Sequence, residues 1–211
     1  LMHCGRVGHP HNLAEGAELV APSAVAAPGE MYTDAEGPQP HPAPREMTEA
    51  DIEATIEGYV QAARNAVAAG FDMVEVHGAN GYLIDQFLTP GVNQRTDAWG
   101  GDATGRGRFA LEVARRTAAA IGKERVGIRL SPGGVFNGIT PWEGLGEDFT
   151  WLAGQLGGLG LAYLHIVDHS AMGAPPVPDG VKAAMRAAFG GPVILVGGYD
   201  RAKADADLAA D

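Results

Sequence analysis

The sequence predicts an α/β fold built on a parallel sheet. Short runs rich in Val, Ile and Leu alternate along the chain with longer segments whose apolar residues recur at helical spacing. The joints between them carry Gly, Pro or Asp. Repeated strand-helix-strand units of this size fold as right-handed crossovers, which makes the strands parallel and buries the sheet on both faces. An open doubly wound sheet and a (β/α)8 barrel both satisfy this alternation. About five strands can be counted if Leu1 to His3 ends one of them, against the eight of a barrel of ~250 residues.

Taken in order, residues 8 to 47 are rich in Pro, Gly and His, which predicts a long surface loop with sparse regular structure. TEADIEATIEGYVQAARNAVAAG then offers Thr48 as N-cap, acids in the first turn, and Ile52, Ile56, Tyr59, Val60, Ala63 and Val67 on one face, with Gly70 as the stop. FDMVEVH follows as a strand, RFALEVARRTAAAIG as a helix and RVGIRLS as a strand. The alternation continues with a helix at DFTWLAGQLGGLG, a strand at AYLHIVDH and a helix near GVKAAMRAAFG, then a strand at PVILVGG and a helix start at DRAKADADLAA.

The chain has 211 residues, 45% of them hydrophobic, enough to bury a core within one domain spanning 1–211. Its net charge of -11, from 15 Lys and Arg against 26 Asp and Glu, leaves no clustered cations for a nucleic-acid surface. Cys4 is the single cysteine, so no internal disulfide can form, and the cytoplasm is the expected compartment. No apolar run reaches the ~20 residues of a membrane helix. LMHCGRVGHPH lacks the layout of a signal peptide, so a soluble protein without a membrane partner is expected. Leu1 opens directly into an apolar segment and YDRAKADADLAAD stops within a helical pattern, so both termini read as cut.

In parallel α/β folds functional groups gather where strands end, because the loops there converge on one mouth. The candidates are His77, Asn80 and Tyr82 after one strand, Arg129 and Ser131 at the next, His165, Asp168 and His169 after the third, and Gly197 and Gly198 after the fourth. An imidazole N–H and a carboxamide N–H can both donate to one oxygen while a phenol donates a proton nearby, so His77, Asn80 and Tyr82 suit polarisation of a carbonyl. By residue type alone a plain turn with packed rings is the commoner meaning of such a stretch. Gly78 and Gly81 let the backbone turn sharply and a flat ligand approach. Glu75 shares the strand face of His77 and reads as a structural residue deeper inside, open to a salt bridge with Arg129. His3, Cys4, His9 and His11 match no common zinc spacing, and no metal is expected. Glu75 with Asp168 would suit a glycosidase carboxylate pair but leaves His77, Asn80 and Tyr82 without a role.

HGANGYLIDQFL followed by NQRTDAWGG resembles the central motif of the Old Yellow Enzyme family of FMN-dependent ene-reductases. LMHCGRVGHP, VAPSAV, PREMT, GIRLSPGGVF, LAYLHIVD and PVILVGGY extend that resemblance, in the family's order, over nearly the whole chain. The resemblance implies an FMN-type (β/α)8 TIM barrel, incomplete here and running from about the third strand to the helix after the seventh. It implies FMN as cofactor, NADPH or NADH as reductant, and a small-molecule α,β-unsaturated carbonyl compound as substrate. It assigns His77 and Asn80 to the substrate oxygen, Tyr82 to proton donation, Arg129 to the flavin, and Gly197 and Gly198 to the FMN phosphate. The loop from Pro22 to Pro44 would set substrate size. GDATGRGRF departs from the family pattern, which predicts a looser start to its helix. The competing expectation is a catalytically silent member of the family that holds no FMN.

Overall fold

A computed structural model describes residues 1–209. A 3-10 turn at Pro10–Asn12 and four short strands come first: β1 (Val20–Ala21), β2 (Glu30–Thr33), β3 (Gly37–Pro40) and β4 (Arg45–Glu46). Then follow α1 (Glu49–Ala68), β5 (Val74–Gly78), α2 (Leu83–Leu88), α3 (Ala103–Ile121), β6 (Val126–Leu130), α4 (Leu145–Gly158), β7 (Tyr163–Val167), α5 (Asp179–Phe189), β8 (Val193–Val196) and α6 (Arg201–Ala209).

The alternation read from the sequence is present. The main sheet has the order β5-β6-β7-β8 and every pairing in it is parallel. Its strands lie in chain order with no reversal, and successive helices pack against one another, α1 on α3, α3 on α4, and α4 on α5. All the crossovers thus lie on one side, as in an arc of a (β/α)8 barrel, whereas a doubly wound sheet divides its helices between two faces.

The core lies between that arc and the helices. Val74, Val76, Val126, Ile128, Leu130, Leu164 and Ile166 point outward and are buried against Phe109, Ala110, Val113, Phe149 and Leu152. The inward face does not follow the expectation of a sheet apolar and buried on both sides. Glu75, His77, Arg129, Tyr163 and His165 alternate with the core residues and are half-buried. Period-2 alternation thus puts an ionisable row inside the arc.

Three further expectations change. Leu1 to His3 is not a strand, although Leu1 N donates to Glu75 O (2.6 Å) and His77 N donates to Leu1 O (2.9 Å), so the segment runs along the free side of β5. Residues 8 to 47 contain an antiparallel hairpin, β2 with β3, and a parallel pair, β1 with β4. The start of α3 is tight, not loose: Asp102 accepts from Gly105 N (2.9 Å). The buried Arg106 binds Leu88 O, Gly101 O and Asp148.

Candidate active site

The strand register brings the site together. His77 on β5 pairs with Arg129 on β6, which pairs with His165 on β7, so three nitrogen-bearing side chains form one row across the inner face. Beneath them Glu75 aligns with Gly127 and Tyr163. A Cβ at Gly127 would overlap the Tyr163 ring, so that glycine makes room for the phenol. The alternative considered for Arg129, a salt bridge to Glu75, is not formed: His165 Nδ1 donates to Glu75 Oε2 at 2.8 Å.

Beyond β5 the chain turns through Asn80 at φ 61 and Gly81 at φ 73, two consecutive left-handed residues. Asn tolerates this conformation better than other side-chain-bearing residues. The turn delivers Tyr82 to the N-cap of α2 and sets its ring 5.3 Å from that of His77, centroid to centroid. His77, Asn80 and Tyr82, proposed from a contiguous stretch, therefore gather at the inner rim of the arc beside Arg129. Burial, then the positive charge of Arg129, pushes the His77 imidazole below its ordinary pKa, with Glu75 opposing. The neutral ring retains one N–H to donate at neutral pH.

Several buried polar atoms at this rim lack a protein partner among the described residues: Asn80 Oδ1, Arg129 Nε, His165 Nε2 and His169 Nδ1. Buried polar groups are normally satisfied, so donors and acceptors converging on one mouth mark a place for a polar, flat ligand. Arg129 Nε–H can donate, Asn80 Oδ1 can accept and the two imidazole nitrogens can do either, a mixture that suits the carbonyl and ring-nitrogen edges of a flavin, so the residues present fit FMN. His169 also packs edge-on to Phe136 at 4.5 Å, and burial followed by Arg129 lowers its pKa.

Gly197 and Gly198 follow β8 with φ 134 and 60. A Cβ at Gly197 would overlap Asp168 O, and one at Gly198 would come 3.2 Å from Ala171 Cβ. Close approach of the loop after β7 thus explains the first glycine whatever else it binds. Asp168 itself is engaged by Lys182 at 2.7 Å and accepts from Ser170 N and Val177 N. Burial raises its pKa, but Lys182 and Ser170 outweigh it and hold the carboxyl at about 2. Glu75 and Asp168, the glycosidase pair considered above, are each tied to a cationic or ring-nitrogen partner.

The NADH:flavin oxidoreductase / NADH oxidase family model matches residues 1–211. The chain belongs to that family. It is 48% identical over 202 residues to chanoclavine-I aldehyde reductase fgaOx3 of Penicillium roqueforti, covering 93% of this chain and 52% of that protein. A probable flavin mononucleotide-dependent alkene reductase of Leishmania infantum is 51% identical over 137 residues, 63% of this chain and 38% of that one. Among solved structures morphinone reductase superposes with a TM-score of 0.92 at 42% identity, over 99% of this chain and 57% of that one. Its complex with tetrahydroNAD gives 0.89 at 41%, with the same coverage. The chain spans about half the length of the first of these relatives. Within this family the arc described above is part of an α/β barrel, as the Old Yellow Enzyme resemblance implied.

Asp85 and Gln86 were missed at the sequence level. Both lie in the run LIDQFL, whose six residues are all buried.

Proposed function

We propose that this chain carries the catalytic turn of an FMN-dependent ene-reductase, which uses NADPH or NADH to reduce the C=C bond of α,β-unsaturated carbonyl compounds. The observation that carries this reading is the meeting of His77, Asn80 and Tyr82 at the end of β5, in register with an Arg129 whose buried Nε has no partner among the described residues. A relative named as a flavin mononucleotide-dependent alkene reductase and a relative solved with tetrahydroNAD support the cofactor and the reductant.

Bound FMN would supply the hydride that reaches the substrate β-carbon. The chain's own residues do the rest. The N–H of neutral His77 and the Asn80 carboxamide hold the carbonyl oxygen, where negative charge builds as hydride arrives. The Tyr82 hydroxyl gives its proton to the α-carbon, leaving a saturated carbonyl compound, and regains a proton from solvent. Arg129 meets the electron-rich edge of the flavin, and the bare backbone at Gly197 and Gly198 meets its phosphate.

A visible absorption spectrum after addition of FMN is the first test: bound flavin supports the reading, and a protein that takes up none supports the silent form. In FMN-loaded protein, Tyr82→Phe should leave flavin reduction by NADPH intact and slow reoxidation by an enone by ~10²- to 10⁴-fold. Equal loss in both half-reactions would remove Tyr82 as the proton donor.

A further inference from the structure

The Asn80–Gly81 step is held in an unusual way: each of its four backbone polar groups is bound by a side chain. Asn80 N donates to Ser131 Oγ (2.9 Å) and Asn80 O accepts from Asn137 Nδ2 (2.7 Å). Gly81 N donates to Asp85 Oδ2 (2.9 Å) and Gly81 O accepts from Gln86 Nε2 (2.7 Å). The four side chains come from three places, α2, the end of β6 and the loop beyond it. They are also joined to one another, since Ser131 Oγ donates to the same Asp85 Oδ2 (3.2 Å). Both amides of the turn therefore lead to one carboxyl. The far side is closed as well: a Cβ at Gly81 would lie 2.5 Å from Phe136 O and 2.7 Å from Asn137 Cβ. Asn137 is left-handed itself, and its carbonyl is taken by the Arg6 guanidinium at 2.9 Å.

Helix capping accounts for only part of this. Asp85 stands three residues inside α2, where a carboxyl commonly reaches back to the amides before a helix. A cap does not require Ser131 from another strand, nor a bond to Asn80 outside the helix. Nor does it require side chains on both carbonyls of a turn that water could satisfy. Two successive left-handed residues, one of them not glycine, cost backbone energy and persist where the surroundings over-determine them.

We propose that Asp85, Gln86, Ser131 and Asn137 are positioning residues that preform the Asn80–Gly81 step, and so fix the Asn80 carboxamide and the Tyr82 hydroxyl relative to His77 before any substrate arrives. This rests on the roles proposed above for His77, Asn80 and Tyr82. Its consequence is that removal of one cage oxygen loosens the turn without loosening the sheet, and that the catalytic loss runs through Asn80.

The test uses Ser131→Ala, which removes one hydroxyl, with Asp85→Ala and the shape-conserving Asp85→Asn beside it. Hydrogen exchange at the Asn80 and Gly81 amides should quicken about tenfold or more in the two alanine variants while β5 to β7 stay protected, and Asp85→Asn should retain protection. Unchanged exchange at Asn80 and Gly81 in Ser131→Ala overturns the cage. In FMN-loaded protein, Ser131→Ala should lower enone kcat/KM about tenfold, and that loss should shrink in an Asn80→Ala background because the two residues act through one geometry. Fully additive losses overturn the positioning role alone. Wild-type protein that binds FMN but reduces no enone overturns the reading of the site and the positioning role together.

Discussion

Asp85 shows how a single residue links the site to the stability of the chain. It lies fully buried between α2 and the end of β6, its Oδ1 has no partner among the described residues, and burial pushes its carboxyl from 3.8 up to about 7 against the bonds from Gly81 and Ser131. The native state thus keeps a proton that the unfolded chain loses near pH 4. The associated stability is present in full below about pH 4, declines as pH rises, and is lost once pH passes about 7. At about 1.36 kcal/mol for each tenfold change in proton affinity, the whole swing is on the order of 4 kcal/mol. Asp85→Asn mimics the protonated acid and does not titrate. Urea unfolding should therefore show the variant gaining stability relative to wild type between pH 5 and pH 8; a constant difference across that range would contradict the raised carboxyl. Asn80 and Tyr82 were legible in the sequence because they follow a strand, where loops converge, and His77 and Arg129 because they stand one place from the ends of β5 and β6 on the inward-facing alternation. Asp85 and Gln86 were not, because they bind backbone groups from within an otherwise apolar run, and nothing local marks a side chain that reaches out of its own helix.

At the scale of elements, periodicity and caps found most of what forms. Thr48 does cap α1, accepting from Asp51 N, while Asp51 accepts from Thr48 N in return. α2 escaped because a six-residue helix buried all round has no polar face to betray its period. The β2–β3 hairpin escaped because Pro38 and Pro40 argue against a strand, yet in a two-stranded hairpin each strand is an edge, where a missing N–H is tolerated. The start of α3 is the most instructive departure. The looser start implied by its departure from the family pattern also agrees with propensity, since Gly is about 1 kcal/mol poorer than Ala in a helix. Contacts decide otherwise: a Cβ at Gly105 would overlap Gly100 O, and one at Gly107 would press on Trp151. Gly105→Ala should therefore destabilise by about 1–3 kcal/mol in spite of the better propensity, through overpacking. Gly58→Ala on α1, where a Cβ meets nothing within 4 Å, should stabilise by up to about 1 kcal/mol. Denaturant unfolding checks both, and a stabilised Gly105→Ala would mean that the helix start has room to move.

For the whole molecule the decisive fact is the asymmetry of the sheet's two sides. Along β5 the chain closes its own edge with Leu1, whereas β8 pairs with β7 alone among the described residues. Ile194 stands in the same inner row as His77, Arg129 and His165, yet it is 43% exposed, and Val196 is 38% exposed. An edge strand with free backbone groups and apolar side chains is a template for another strand. Net charge of -11 opposes association at long range, but at physiological salt repulsion is screened beyond ~8 Å and does not protect a strand edge at contact. The polypeptide 1–211 should therefore self-associate with rising concentration in sedimentation velocity. Ile194→Lys with Val196→Lys should shift it towards monomer, because charge on an edge strand discourages strand pairing, while far-UV circular dichroism stays the same. Association that persists unchanged in the double variant would place the contact elsewhere, and a wild type that remains monomeric at every concentration would show that β8 is not adhesive.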